Sequence, residues 1–163
     1  MYKAVSTGLN FGLTSGVITT LGLIVGLHSG THSKLVIIGG IITIAIADSM
    51  SDALGIHISI ESDDTSSKRD IWIATFVTLL SKMCMAITFI IPVLILDISD
   101  AIVMSVIWGL LVIAVLSYLL AKNNGESPIF IMIEHLVIAI AVIIATHYVG
   151  HWVANTFGQY SVI

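Results

Sequence analysis

The sequence predicts an all-α fold, a bundle of five transmembrane helices, and three observations carry that reading. The 163 residues are 57% hydrophobic and only 10% charged, with a mean hydropathy of +1.08; a soluble domain of this size needs far more charge to cover its surface. The apolar residues come in continuous runs, and a helix needs about 20 of them to cross the hydrocarbon core. Five windows qualify: 9–28, 35–60, 71–96, 101–121 and 128–154. The joins between them are short, so residues 1–163 are expected to form one membrane domain with no soluble part.

The first span has no small-residue cleavage site, and its glycines and threonines are unlike the leucine-rich run of a signal peptide. Gly8, Gly12 and Gly16 recur every fourth residue, and Gly22, Gly26 and Gly30 do the same further along. In an apolar helix this spacing lets two backbones approach closely. Both packing within one subunit and a homodimer seam fit it. Thr14, Ser15, Thr19 and Thr20 lie among these glycines and can bond their own backbone.

The second span carries the strongest chemical signal. Asp48 and Asp52 sit in its interior, and a carboxylate at bilayer depth costs at least a few kcal/mol, about 2.5–3.5 on the lowest scale. Residues four apart share a helical face, and Ser51, Gly55 and Ser59 extend that face. At 100° per residue His57 lies about 180° away from Asp48; it shares a different face with Glu61, near the end of the span.

The third span holds the one interior Lys or Arg, Lys82. Counting 1.5 Å per residue from the same membrane edge, Lys82 is ~16 Å deep, Asp48 ~18 Å and Asp52 ~12 Å. The depths match, so a lysine tying helices together is one reading. Yet one lysine cannot neutralise two aspartates, and a site left one charge negative must take up a proton or a cation. Met83, Cys84 and Met85 are consecutive, point in different directions, and read as core packing.

Asp70 and Asp100 are expected to cap the third and fourth spans, and Ser127-Pro128 reads as an N-cap followed by an N1 proline. The fifth span adds Glu134, ~9 Å inside the edge by the same count, with His135 beside it. At its other end His147 and His151 are four apart, as are His28 and His32 at the same end of the first span. Two such imidazole pairs could form an outer metal site if the fold brings them together; ordinary interfacial histidines are the alternative.

Lys3, Lys68, Arg69 and Lys122 fall on one side of the membrane and only Lys34 on the other. The positive-inside rule then places the N-terminus in the cytoplasm and the C-terminus outside. The net charge of −4 argues against nucleic acid as a partner. A single cysteine, Cys84, excludes an internal disulfide. No Walker loop, GxSxG or HExxH is present, so neither ATP-driven transport by this chain alone nor enzymatic activity is expected.

The run Gly12-Leu13-Thr14-Ser15-Gly16-Val17-Ile18-Thr19-Thr20-Leu21-Gly22-Leu23-Ile24-Val25-Gly26 resembles the first helix of the vacuolar iron transporter family. So does Ala53-Leu54-Gly55-Ile56-His57-Ile58-Ser59, and Pro92, Ser127-Pro128 and Tyr148-Val149-Gly150 continue the likeness in register. The resemblance implies five transmembrane helices, a cytoplasmic N-terminus, and a homodimer with the ion path between subunits. It also implies export of ferrous iron or manganese from the cytosol in exchange for protons. Three positions depart from the family pattern. Ser15 stands where the family usually has an aspartate, Asp52 where it has a methionine, and Ile56 where it has a glutamate. The link 61–70 also lacks the helical metal-binding domain that many members carry. Architecture and path therefore transfer, while the ligand set does not, and the aspartates of the second span are read as taking over the charge lost from the first.

The expected function is thus secondary transport of divalent cations by a proton-coupled homodimer. Asp48, Asp52 and Glu134 are the metal ligands, and Lys82, Ser51, His57, Glu61 and His135 line the path. The metal is cargo and no cofactor is expected; hard oxygen ligands suit Mn²⁺, Fe²⁺, Mg²⁺ or Ca²⁺. The expected place is the cell (inner) membrane, with a vacuolar-type membrane as the alternative. A non-transporting scaffold and a membrane-embedded metal-dependent enzyme are the competing readings.

Overall fold

The structure, a computed structural model, describes residues 1–62 and 66–158. It contains six helices: α1 (Tyr2–Thr31), α2 (Lys34–Glu61), α3 (Lys68–Thr88), α4 (Ile90–Ile95), α5 (Ile98–Asn124) and α6 (Pro128–Phe157). Five segments are long and apolar enough to cross a membrane: α1, α2, the combined segment Lys68–Ile95, α5 and α6. The chain is an all-α, multi-pass membrane bundle. The side holding the start of α1 is termed the N side, and the opposite one the C side.

The helices outrun the apolar windows at both ends, because polar residues at a helix terminus lower hydropathy without stopping the helix. The third span, expected as one helix over 71–96, is instead broken at Phe89. Pro92 lacks an N–H, and its ring clashes with the carbonyl four residues back, at Thr88. The Phe89 N–H bonds Ala86 O at 3.2 Å, a tightened turn, and α4 continues from it. Lys34, the sole Lys or Arg on the C side among the described residues, closes that segment: its Nζ donates to the carbonyls of Leu94 (3.3 Å) and Leu96 (3.0 Å).

Two expected caps move by three residues. Ser67, not Asp70, is the N-cap of α3: its Oγ accepts from the Asp70 N–H at 3.2 Å and donates to Asp70 Oδ2 at 2.9 Å. Asp97 is the N-cap position of α5, and Asp100 lies in the first turn, where a negative charge favours the helix dipole. Ser127-Pro128 opens α6 as expected.

α1 is the central helix and packs on α2, α3, α5 and α6. Its glycines are all used inside the subunit. Gly8, Gly12 and Gly16 lie against α3 at Ala74, Thr78, Ser81 and Lys82. Gly22, Gly26 and Gly30 lie against α6 at Val142, Thr146 and Gly150. Of the two readings of these ridges, packing within one subunit is the one these contacts show. The core between them is apolar, with Val17, Leu21, Ile24, Ile37, Ile41, Phe89, Val93 and Ile113 fully buried. By contrast α6 buries little besides Ala139 and Gly150.

Candidate functional site

The site grows from the glycine ridge of α1. A Cβ at Gly12 would lie 2.7 Å from Thr78 O and 3.2 Å from Lys82 N, and one at Gly16 would lie 3.1 Å from Lys82 O. Only glycine lets α3 come this near. The close approach covers the lysine stem, leaving Lys82 1% exposed. Its ammonium emerges between three helices. Nζ lies 2.5 Å from Asp48 Oδ2 and 2.5 Å from Asp52 Oδ2, both on α2, and donates to Ser15 Oγ of α1 at 3.0 Å. Ser15 in turn donates to Asp52 Oδ2 at 2.6 Å.

The two carboxylates are not equivalent. Asp52 is held by two aligned donors, Lys82 and Ser15. Asp48 Oδ2 is buried and touches Lys82 as a charge contact, without an aligned hydrogen bond. Among the described residues neither Oδ1 accepts a hydrogen bond. With both acids ionised the cluster carries one net negative charge. Its unused lone pairs are hard oxygen donors, suited to a proton or a hard divalent cation.

Access follows from the faces of α2. Its buried stripe is Ile37, Ile41, Ala45, Ser49 and Ala53. Its opposite stripe is small and exposed: Gly39, Thr43, Ala47, Ser51, Gly55 and Ser59 recur every fourth residue. A Cβ at Gly39 or Gly55 would touch nothing within 4 Å. Asp48 and Asp52 lie between the two stripes, with side chains 33% and 21% exposed. On the N side, a cavity of about 420 Å³ lined by Lys3, Thr7, Ser59, Ser66 and Asp70 opens at the ends of α1, α2 and α3. Ser59 is seven residues below Asp52, or about 10 Å along the helix.

Not every expected site residue joins this cluster. Ser51 is on the adjoining exposed stripe. His57 points to α3, where its Nδ1 pairs with Thr75 Oγ1 at 2.9 Å and its ring meets Trp72 edge-on. Glu61 ends α2 and is exposed. Glu134 does not complete a ligand set with Asp48 and Asp52: it is exposed on α6, and no three acids, histidines or cysteines converge among the described residues. α6, which carries it, packs on α1 and α5 and not on α2. His135 is likewise tied elsewhere, with Nδ1 2.8 Å from Ser117 Oγ of α5. The core packing expected of Met83, Cys84 and Met85 holds for Met85, which is buried, and not for Cys84, which is exposed because consecutive residues point in different directions.

The outer histidines do come to one end of the molecule. His28 and His32 have ring centroids 4.9 Å apart, as do His147 and His151. Ser29, next to His28, pairs its Oγ with His147 Nδ1 at 2.7 Å. The residue that sequence reasoning undervalued is Ser15. Thr19 does bond its own backbone, at Ser15 O (2.9 Å), but the Ser15 hydroxyl reaches across to Asp52. The clue was its place beside Gly16, on the helix that approaches Lys82. No family model, curated protein or solved structure matches the chain.

Proposed function

We propose that the chain is a secondary transporter of divalent metal cations of the Fe²⁺/Mn²⁺ class, exporting them from the cytosol in exchange for protons. One observation carries the reading: two carboxylates share a single buried lysine at the middle of the membrane, with their free oxygens unpaired. A purely structural tie needs one acid per base. The second acid is the group that binds cargo or proton. The resemblance of α1 and α2 to vacuolar iron transporters supports the same class.

The functional unit in this proposal is a homodimer whose seam is α2. A partly exposed intramembrane carboxylate is expected to face protein or a water-filled cavity, not lipid. The small-residue stripe of α2 is shaped for close helix approach, and a second copy there would bring four aspartates around one path. The N-side cavity then serves as the cytoplasmic mouth. Orientation rests on Lys3, Lys68, Arg69 and Lys122 on that side. In a Cys84→Ser background, cysteines at Ser66 and Thr31 should label from opposite sides of the membrane, with Ser66 cytoplasmic; labelling of both from one side would reject the topology.

The burial of Lys82 favours one competing reading, a scaffold in which the charged cluster only joins three helices. Purified protein in liposomes separates the two. Fe²⁺ and Mn²⁺ flux, followed by dye quenching with and without a pH gradient, is expected in wild type and lost in Asp52→Asn. Normal pH-driven flux in folded Asp52→Asn would remove this residue from the mechanism, and absence of flux for every metal in wild type would leave the scaffold.

A further inference from the structure

We infer that the C-side ends of α1 and α6 form a second metal site, a nitrogen-donor one built from His28, His32, His147 and His151, that takes a borderline divalent d-block ion such as Ni²⁺, Cu²⁺ or Zn²⁺. The argument starts with the backbone. α1 and α6 run in the same direction, since Gly22, Gly26 and Gly30 meet Val142, Thr146 and Gly150 in order. A Cβ at Gly30 would lie 3.3 Å from Gly150 O, and one at Gly150 would overlap Gly26 O. Glycine against glycine therefore clamps the two helices backbone to backbone at the level of the histidines.

On each helix the two imidazoles are four residues apart, the spacing that puts two histidines on one face to chelate a metal. The ring centroids, 4.9 Å apart in each pair, are consistent with that use. Across the helices, Ser29, next to His28, meets His147, and Gly30 meets Gly150, so the two pairs lie at one level. His147 also carries the support expected of a metal-ligating imidazole. Its Nδ1 is engaged by the buried Ser29 hydroxyl at 2.7 Å, which fixes the ring and leaves Nε2 for a ligand. His28 Nδ1 is buried without a hydrogen-bond partner, and a buried polar atom left unpaired calls for an explanation such as an ion.

His32 adds an independent sign. It is the one non-glycine residue with positive φ among the described residues (φ 51°, ψ 21°), at the position following α1 where glycine is the usual choice. A side chain kept where glycine would sit more easily points to a use for that side chain. In the conformation described, no three of these ligands converge on one point. His32 and His151 are exposed, so their side chains have room to turn toward His28 and His147. The donors are imidazoles only, so the preferred ion is of a different class from that suited to the carboxylates of α2.

The test uses full-length protein purified without a histidine tag. Cu²⁺ is followed by nitrogen hyperfine structure in its electron paramagnetic resonance spectrum, and Ni²⁺ affinity by calorimetry. The informative variant is His32→Gly, which removes a ligand while relieving the backbone, so its melting temperature should stay level or rise. The Ni²⁺ Kd should increase about tenfold or more, and His28→Ala with His147→Ala should abolish the nitrogen signal. Asp52→Asn should leave both readouts unchanged, which keeps this site separate from the carboxylate cluster. Wild-type protein without a nitrogen signal, or binding unaltered in His32→Gly and in the double variant, would overturn the inference.

Discussion

The two glycine ridges of α1 look alike in sequence and behave differently in space. Against α3 the fit is tighter than any side chain allows: a Cβ at Gly12 would lie 2.7 Å from Thr78 O and overlap the Ser81 hydroxyl. Against α6 a Cβ at Gly26 would sit 3.4 Å from Thr146 O, an ordinary contact. The neighbours explain the contrast. α3 brings a lysine whose stem must be sealed from lipid, and the glycines let the α1 backbone cover it. α6 brings its own glycine at position 150, and the result is a backbone clamp that levels two histidine pairs. The same small-residue signature thus buries a charge in one half of the molecule and aligns two histidine pairs in the other.

If the α3 ridge exists to house Lys82, the lysine should matter most. Lys82→Met leaves Asp48 and Asp52 without a counter-charge. Breaking a buried ion pair costs about 3–5 kcal/mol; the partial exposure of both acids puts this case at the low end. The expected outcome is loss of the monodisperse peak in detergent size-exclusion chromatography, restored when Asp48→Asn and Asp52→Asn are added. Asp48→Asn alone should fold, because Lys82 keeps Asp52 and Ser15 as partners. A stable Lys82→Met protein would show that the acids are already neutral or otherwise paired.

The ridges themselves can be compared by the smallest substitution. Gly12→Ala should destabilise by about 1–3 kcal/mol, the usual cost of overpacking. Gly26→Ala should be neutral or gain a few tenths of a kcal/mol, up to about 1, from helix propensity. Gly150→Ala should resemble Gly12→Ala, since its Cβ would overlap Gly26 O. Thermal unfolding followed by circular dichroism ranks the three, and equal effects at 12 and 26 would contradict the difference in fit.

Much of this was legible along the chain and little of it around the bundle. Hydropathy located five spans, and counting at a fixed rise put Asp48, Asp52 and Lys82 at one depth, where they meet. Rotation at 100° per residue turned His57 away from them, as observed. These follow from helix geometry alone. Which helix lies beside which does not, because in a bundle apolar on nearly every face several arrangements bury similar area. Glu134 was therefore assigned to a cluster it does not reach, and the glycines of α1 were left open between a dimer and the packing on α3 and α6 that the subunit shows. Pro92 was visible, but the place of the break, three residues before it, depended on which carbonyl its ring displaces. Of the exposed stripe of α2, Ser51, Gly55 and Ser59 were legible beside the aspartates, while Gly39, Thr43 and Ala47 passed unnoticed because no charge marks their half of the helix.

That stripe gives the mildest change in fold stability and the sharpest contrast with α1. Gly55 has open space around it, while Gly12 has none. Gly55→Leu should leave the stability of a single subunit within about 0.5 kcal/mol of wild type, as for surface positions generally. Gly12→Leu should prevent folding altogether. If two copies meet along α2, Gly55→Leu removes the close approach and the protein should elute as a folded monomer. Ser51→Leu, one turn nearer the aspartates, should do the same and also abolish flux, since the carboxylates of the two subunits no longer share a path. Mass measured by light scattering in mild detergent, corrected for bound detergent, decides the matter. A folded dimer that tolerates both leucines places the seam elsewhere. A wild-type protein that is monomeric and still transports would confine the path to the Ser15, Asp48, Asp52 and Lys82 cluster of one chain.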